Sequence, residues 1–294
     1  MRRVLSLSVC VSMLFACGGA QSVQTDSTAK SETPAKAGKS CSGKAAAPAP
    51  TGTTTNVDEA TFKVPNPEMP SISIYTINKD EKSGAFTALV KLKAGTKVPL
   101  HAHSHDYTGA ALSPGLKRGL SADALAALPQ GSAWVQKAGE GHINECSEEA
   151  DCLMLVMFKG KLDMLPQDKP FAGEVKSKTI KGDAVPWIDM KKGGVKMLPL
   201  VGDMKSGAFD ALFYFPAGLK TNLHRHSASF TGAMISGTHQ RGPSADKLKT
   251  ITAGAVWHEP AGAGHIEHCG KESACIFVGT FDGALDTSNL EVSK

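Results

Sequence analysis

Aromatic residues are scarce in this chain of 294 residues, 6% of the total, with three Trp and three Tyr against eleven Phe. Charge of one sign is lacking too, since 32 Lys and Arg nearly balance 28 Asp and Glu for a net +4. No run of lysine and arginine and no interleaving of basic with aromatic residues supplies what a nucleic-acid surface needs, so nucleic acid is excluded as a partner. Long hydrophobic runs are also missing: the apolar stretch at residues 4–15 is too short to span a bilayer. What is present, 41% hydrophobic residues in a chain of this length, is enough for one or two domains with real cores.

The short apolar stretch follows Met1, Arg2 and Arg3 and ends in Leu14, Phe15, Ala16 and Cys17. A basic start, an apolar middle and a small residue before a cysteine form a targeting segment, to be set aside before fold reasoning. The segment resembles a bacterial lipoprotein signal over residues 1–16, with Cys17 as the lipidated residue; ordinary secretion with Cys17 free is the alternative. Either reading places the mature chain outside the cytoplasm. Lipidation implies the cell envelope, on the periplasmic or outer-membrane face of a Gram-negative bacterium, with membrane contact only through the anchor. Residues 17–57 are mostly Ala, Ser, Thr, Lys, Gly and Pro, too poor in large apolar side chains to offset ordering entropy, and read as a disordered tether. Cys41 within it has no nearby partner.

Beyond the tether lies an internal duplication. Gly95, His101 and His103 recur 123 residues later as Gly218, His224 and His226, and the same offset relates Trp134 to Trp257, Arg118 to Arg241, His142 to His265, and Cys146 and Cys152 to Cys269 and Cys275. The period is far too long for a solenoid, so it marks two copies of one domain. The copies are expected at residues 58–166 and 183–294, joined by a linker over 167–182.

Within each copy the pattern is β. Residues 86–92 nearly alternate, residues 209–215 are rich in aromatics, and residues 152–158 form an apolar run of strand length, all punctuated by Gly and Pro. Ser-Ala-Asp at 121–123 and at 244–246 predicts a short capped helix in each copy. On a strand alternate side chains share a face, so His101-x-His103 and His224-x-His226 each place two imidazoles together as a metal pincer.

A glycine, five residues and His-x-His, followed by a glycine, five residues and Pro-x-Gly-x-x-His, resembles the two motifs of the cupin superfamily. The second copy matches throughout with Gly218, His224, His226, Gly254, Pro260, Gly262 and His265; the first has Lys137 in the proline slot of an otherwise matching Gly95, His101, His103, Gly131, Gly139 and His142. The duplicated Arg-Gly and Ser-Ala-Asp elements resemble a bacterial two-cupin group related to the ChrR-like cupin domain of an anti-sigma factor. The resemblance implies an all-β chain of two tandem double-sheet jelly-roll barrels. It also implies two metal sites, His101 with His103 and His142, and His224 with His226 and His265.

Many cupins add a glutamate four or five residues after the second histidine, but Tyr107 and Thr108, and Phe230 and Thr231, occupy those slots, so neither copy supplies the carboxylate. Three neutral imidazoles leave a divalent ion's charge unbalanced and favour an anionic or oxygen-donor ligand. The pattern resembles three-histidine iron cupins that oxidise thiols or diketones. Iron ranks first, with zinc, copper, nickel and manganese open.

The remaining histidines read as ordinary surface or core residues, with a further ligand at His105 and a proton-transfer neighbour at His258 as alternatives, and surface positions for His239 and His268. Cys146 and Cys269 stand four residues after a motif histidine, where a thiolate ligand is one reading. Pairing across a polar turn, Cys146 with Cys152 and Cys269 with Cys275, is the favoured one in an exported chain. Arg118 and Arg241 read as carboxylate clamps at a barrel mouth or as exposed loop residues, and Trp134 and Trp257 as barrel packing. Functionally the sequence points to a metal-dependent oxidoreductase, dioxygenase-like, acting on a small anionic or oxygenated molecule. The alternatives are a non-catalytic metal or ligand-binding cupin, and a structural bicupin whose duplication serves homo-oligomeric assembly.

Overall fold

The computed structural model describes residues 50–191 and 193–290. Cys17, Cys41, the signal segment and most of the expected tether lie outside them. The described residues fall within one compact unit, built of antiparallel strands with three single 3-10 turns.

Each copy contributes a large sheet and a smaller one. In the first, the large sheet runs Lys178–Ile180, Ala133–Gln136, Tyr107–Ala111, Cys152–Phe158, Phe86–Leu92, Ile72–Lys79. The smaller sheet runs Leu165–Pro166, Lys97–Ala102, His142–Cys146, Leu116–Gly119, Ala126–Ala127. In the second copy the large sheet runs Thr53–Thr55, Val256–Glu259, Phe230–Ser236, Cys275–Phe281, Phe209–Phe215, Lys196–Gly202, Ile188–Asp189. Its smaller face is Lys249–Ile251, His239–Gly242 and Ile266–Cys269, beside the pair His224–Arg225 and Ser288–Asn289.

The apolar run Cys152–Phe158 is continuous because both of its faces are buried. Cys152, Met154, Val156 and Phe158 point into the first barrel. Leu153, Leu155 and Met157 enter a shared core with Leu200, Leu212, Ala233, Ile235, Val256 and Val278 of the second copy. The large sheets therefore pack on each other, and each smaller sheet faces away from that shared core. Full burial of Leu155 alone is worth about 1.5–3 kcal/mol relative to exposure.

Four segments differ from the sequence reading. Thr53–Thr55, inside the expected tether, is a strand on the second copy's sheet, paired Thr53 to His258 and Thr55 to Val256. Lys178–Ile180, inside the expected linker, makes the equivalent addition to the first copy, Lys178 to Val135 and Ile180 to Ala133. Both have β-compatible Thr residues and an open sheet edge to satisfy, and backbone pairing outweighs a polar composition. The expected helices are only the 3-10 turns Ala122–Ala124 and Ala245–Lys247, with Ser121 and Ser244 extended and making no side-chain cap. The strands Ala126–Ala127 and Lys249–Ile251 begin at once afterwards, leaving no room for a helix.

Candidate metal centres

The three histidines of each copy meet on its smaller sheet. Pro99 cannot donate to a ladder, and the pairing of Lys97–Ala102 with His142–Cys146 shifts register between Val98 and His101. The shift sets His101 opposite His142. In the second copy His224 and His265 exchange both backbone hydrogen bonds, at 3.0 and 2.8 Å. His103 and His226 follow two residues after the first histidine of each pair. In each triad the ligand nitrogens all lie within 4.8 Å of one another.

Backbone carbonyls fix the rings. His101 donates Nδ1–H to the Pro99 carbonyl at 2.7 Å, and His224 to that of Asn222 at 2.8 Å. His103 and His226 donate Nδ1–H to the carbonyls of Asp163 and Asp286. The side chains of these aspartates accept from the backbone N–H of Ser104 and Ser227, at 2.9 and 2.8 Å. With the proton held on Nδ1, each Nε2 keeps its lone pair for a ligand. Burial pushes all six imidazoles below their ordinary pKa, His101 to about 4 and His142 well below, the latter helped by the Arg118 charge. They are neutral at pH 7, the state a metal requires.

Beneath the imidazoles the copies diverge. In the first, Tyr107 Oη lies 3.0 Å from His142 Nε2, and Arg118 donates to that hydroxyl at 3.2 Å and to Gln136 Oε1. In the second, Phe230 replaces Tyr107 and Glu259 replaces Gln136. Glu259 lies 2.6 Å from His265 Nδ1 and pairs with Arg241 at 2.8 Å, while Arg241 also contacts Glu267. Burial would raise the Glu259 carboxyl, but Arg241 and His265 outweigh it and hold it near 2. His265 Nε2 is buried without a hydrogen-bond partner, because Phe230 has no hydroxyl to offer. Three neutral imidazoles, preset tautomers and an orphaned buried nitrogen together fit a divalent transition metal.

Each triad opens on a cavity. That of the first barrel holds about 240 Å³ and is mostly apolar, with Met69, Ile72, Leu92, Met154 and Val156 in its wall. That of the second holds about 690 Å³, and Lys220, Glu267 and Asp286 join Met197, Phe213 and Leu285 around it.

Two family models match the chain: the ChrR cupin-like domain over residues 175–283, and a domain of unknown function (DUF4437) over residues 73–194. The second half of the chain thus holds a ChrR cupin-like domain. Among solved structures, a dioxygenase candidate from Nostoc punctiforme is similar at TM-score 0.64 and 13% identity, over 83% of this chain and 88% of that one. Protein YlbA from E. coli is similar at TM-score 0.57 and 11% identity, over 84% and 97%. A single-site mutant of Bacillus subtilis oxalate decarboxylase is similar at TM-score 0.51 and 14% identity, over 81% and 79%. At these identities the likeness concerns the fold. A search of curated proteins finds no match.

Several side chains of this chain lie elsewhere than the sequence suggested. Arg118 and Arg241 are neither at a mouth nor exposed; both are buried behind the histidines, over the rings of Trp134 and Trp257 at 5.2 and 4.4 Å. Those tryptophans lie flat on Gly109 and Gly232, where an added Cβ would come within 2.2 and 2.4 Å of the indole. His105 stays outside the triad, bonded to Ser104 Oγ at 2.9 Å and covering Gly160. His258 stands on the face of its strand opposite Glu259, 2.8 Å from Thr231 Oγ1. His239 is fully buried, not on the surface, in the slot held by Leu116 in the first copy, and burial pushes its pKa well down. The cysteines form the disulfides Cys146–Cys152 and Cys269–Cys275, so no thiolate joins a triad.

The expected absence of carboxylates fails for the second barrel. The motif slots do lack glutamate, but Glu259 and Glu267 reach the site from the strands flanking Pro260 and His265. Glu267 carried a signal in its spacing of two from His265, which puts both on one face of a strand. Glu259 carried none, since its place depends on how the two sheets of the barrel meet.

Proposed function

We propose that this cupin is an exported, lipid-anchored, metal-dependent oxidoreductase of the cell envelope, dioxygenase-like, acting on a small anionic or oxygenated molecule. The observation that carries the reading is the pair of buried, neutral three-imidazole groups, each opening on its own cavity. His101, His103 and His142 would hold one ion and His224, His226 and His265 the other, with iron ranked first. A redox-active ion bound there supplies electron transfer and a Lewis-acid position for an oxygen ligand.

The protein's own groups orient and balance charge. The backbone carbonyls fix four of the imidazoles, and Glu259, held ionised by Arg241, fixes His265. Glu259 is paired with Arg241 and its pKa held near 2, so it is poorly suited to take a proton from substrate. That lack of a free base beside the ion supports redox chemistry over hydrolysis. It equally supports a second reading, in which the barrels bind a metal or small ligand without turnover. The fold shared with a dioxygenase candidate is compatible with the first.

Elemental analysis of the purified full chain tests the metal reading. One ion per triad is expected, with His224→Ala or His265→Ala each losing the ion of the second barrel; equal trace metal in all three proteins overturns it. Oxygen uptake by the loaded protein with small carboxylates, diketones and thiols separates turnover from binding. Release of the protein from membranes by Cys17→Ala tests the anchor.

A further inference from the structure

The unequal neighbours of the two triads bear on what completes each metal shell. In the second barrel the Arg241 guanidinium is met by Glu259 and Glu267, so one positive charge faces two negative ones before any ion arrives. In the first, Arg118 meets only neutral partners, the Tyr107 hydroxyl and the Gln136 amide oxygen. A divalent ion in the first triad would therefore lie among neutral imidazoles with an uncompensated guanidinium close behind. Such a site needs an anionic donor.

Tyr107 is placed to be that donor. Its oxygen lies 3.0 Å from His142 Nε2. Two donors bound at about 2.0–2.1 Å to adjacent positions of one ion are separated by about 3 Å. Nor is the hydroxyl's present contact compatible with a loaded site, because whichever group donates in it, Nε2 has no lone pair left for a metal. The ring is locked by stacking on Phe158, centroids 4.5 Å apart, and by an edge contact with His103 at 5.2 Å. Arg118 donates to the oxygen from behind and fixes where it sits. The second barrel repeats the stack with Phe230 on Phe281, centroids 4.3 Å apart, but has no oxygen at that place.

We propose that Tyr107 is the fourth metal ligand of the first barrel, making it a three-histidine, one-phenolate centre that the second barrel cannot form. On coordination the phenol O–H bond breaks, the proton passes to solvent, and the oxygen's electron pair goes to the metal. No electron changes hands. The inference rests on the metal reading above and extends it to this chain's own donor set.

Cu(II) is the probe, since imidazole and oxygen donors bind it strongly among divalent ions. The full chain carrying His224→Ala, which confines metal to the first barrel, is titrated with Cu(II) and followed by metal content, visible absorption and resonance Raman. One Cu(II) per chain is expected, with a phenolate-to-copper charge-transfer band whose excitation enhances tyrosine ring modes. Adding Tyr107→Phe, the residue the second barrel already tolerates, should abolish band and ring modes and weaken Cu(II) binding about tenfold or more. Stoichiometric Cu(II) without the band, or a band that survives Tyr107→Phe, overturns the tyrosine ligand and leaves the metal reading intact. Failure of the His224→Ala protein to hold Cu(II) overturns both for the first barrel.

Discussion

The two barrels share their histidines, their disulfides and even the tryptophan that lies on a glycine, yet beneath the imidazoles one arginine meets neutral groups and the other meets carboxylates. Tyr107, Gln136 and Asn144 in the first stand where Phe230, Glu259 and Glu267 stand in the second. Duplication preserved the parts that hold a metal and varied the parts that set its charge. Arg118 and Arg241 are shared by the two copies but have different work. The first arginine orients neutral groups, while the second neutralises buried carboxylates that would otherwise be costly.

The largest test of this contrast is removal of each arginine in turn. Arg241→Met strands Glu259 and Glu267 in the interior and should cost about 3–5 kcal/mol in urea unfolding. Arg118→Met, which breaks hydrogen bonds to neutral partners, should cost about 1–2 kcal/mol. Equal losses would break the comparison. A smaller effect comes from making the barrels alike: Glu259→Gln removes the partner of His265 Nδ1 and should weaken metal binding in the second barrel by about 10–100-fold, leaving the first barrel unchanged in the same titration.

The smallest effect, and one both barrels share, is pH dependence of the metal-free protein. Histidines held neutral by burial bind fewer protons when folded than when unfolded, so their penalty is absent above pH 6.5 and grows as pH falls, for His101 until about pH 4. Glu259, lowered from 4.5 to about 2, stabilises the fold above pH 4.5 and loses that contribution below. Both signs agree, so the melting temperature should fall steadily from pH 7 to pH 4. His265→Ala should flatten the profile, and an unchanged slope would show that this imidazole does not carry the effect.

The triads were legible in the sequence because a strand turns a spacing of two into a shared face, and because the offset between copies marked His142 and His265 as a matched pair. The disulfides were legible for a similar reason, being local and repeated. What escaped reading depends on contacts between elements. Glu259 becomes a neighbour of the histidines only when the smaller sheet closes over the larger one, and the arginines do so through pairing of their strands with His142–Cys146 and Ile266–Cys269. His239 reads as polar in sequence, yet it fills a place that leucine occupies in the other copy. Thr53–Thr55 looks like tether because its composition is polar, and only the free edge of Val256–Glu259 makes it a strand.

That last pairing has a consequence for how the chain reaches its native state. Thr53 finds its partner in His258, more than two hundred positions along the chain, and Lys178–Ile180 returns to an edge laid down some forty residues before it. Such distant closures raise the contact order and slow folding. A growing chain can complete the first barrel's edge as soon as Ile180 is available, but the earliest strand must wait for most of the second copy. Until then Thr53–Thr55 and the shared-core leucines lack their partners, so a half-made chain is the form most exposed to aggregation.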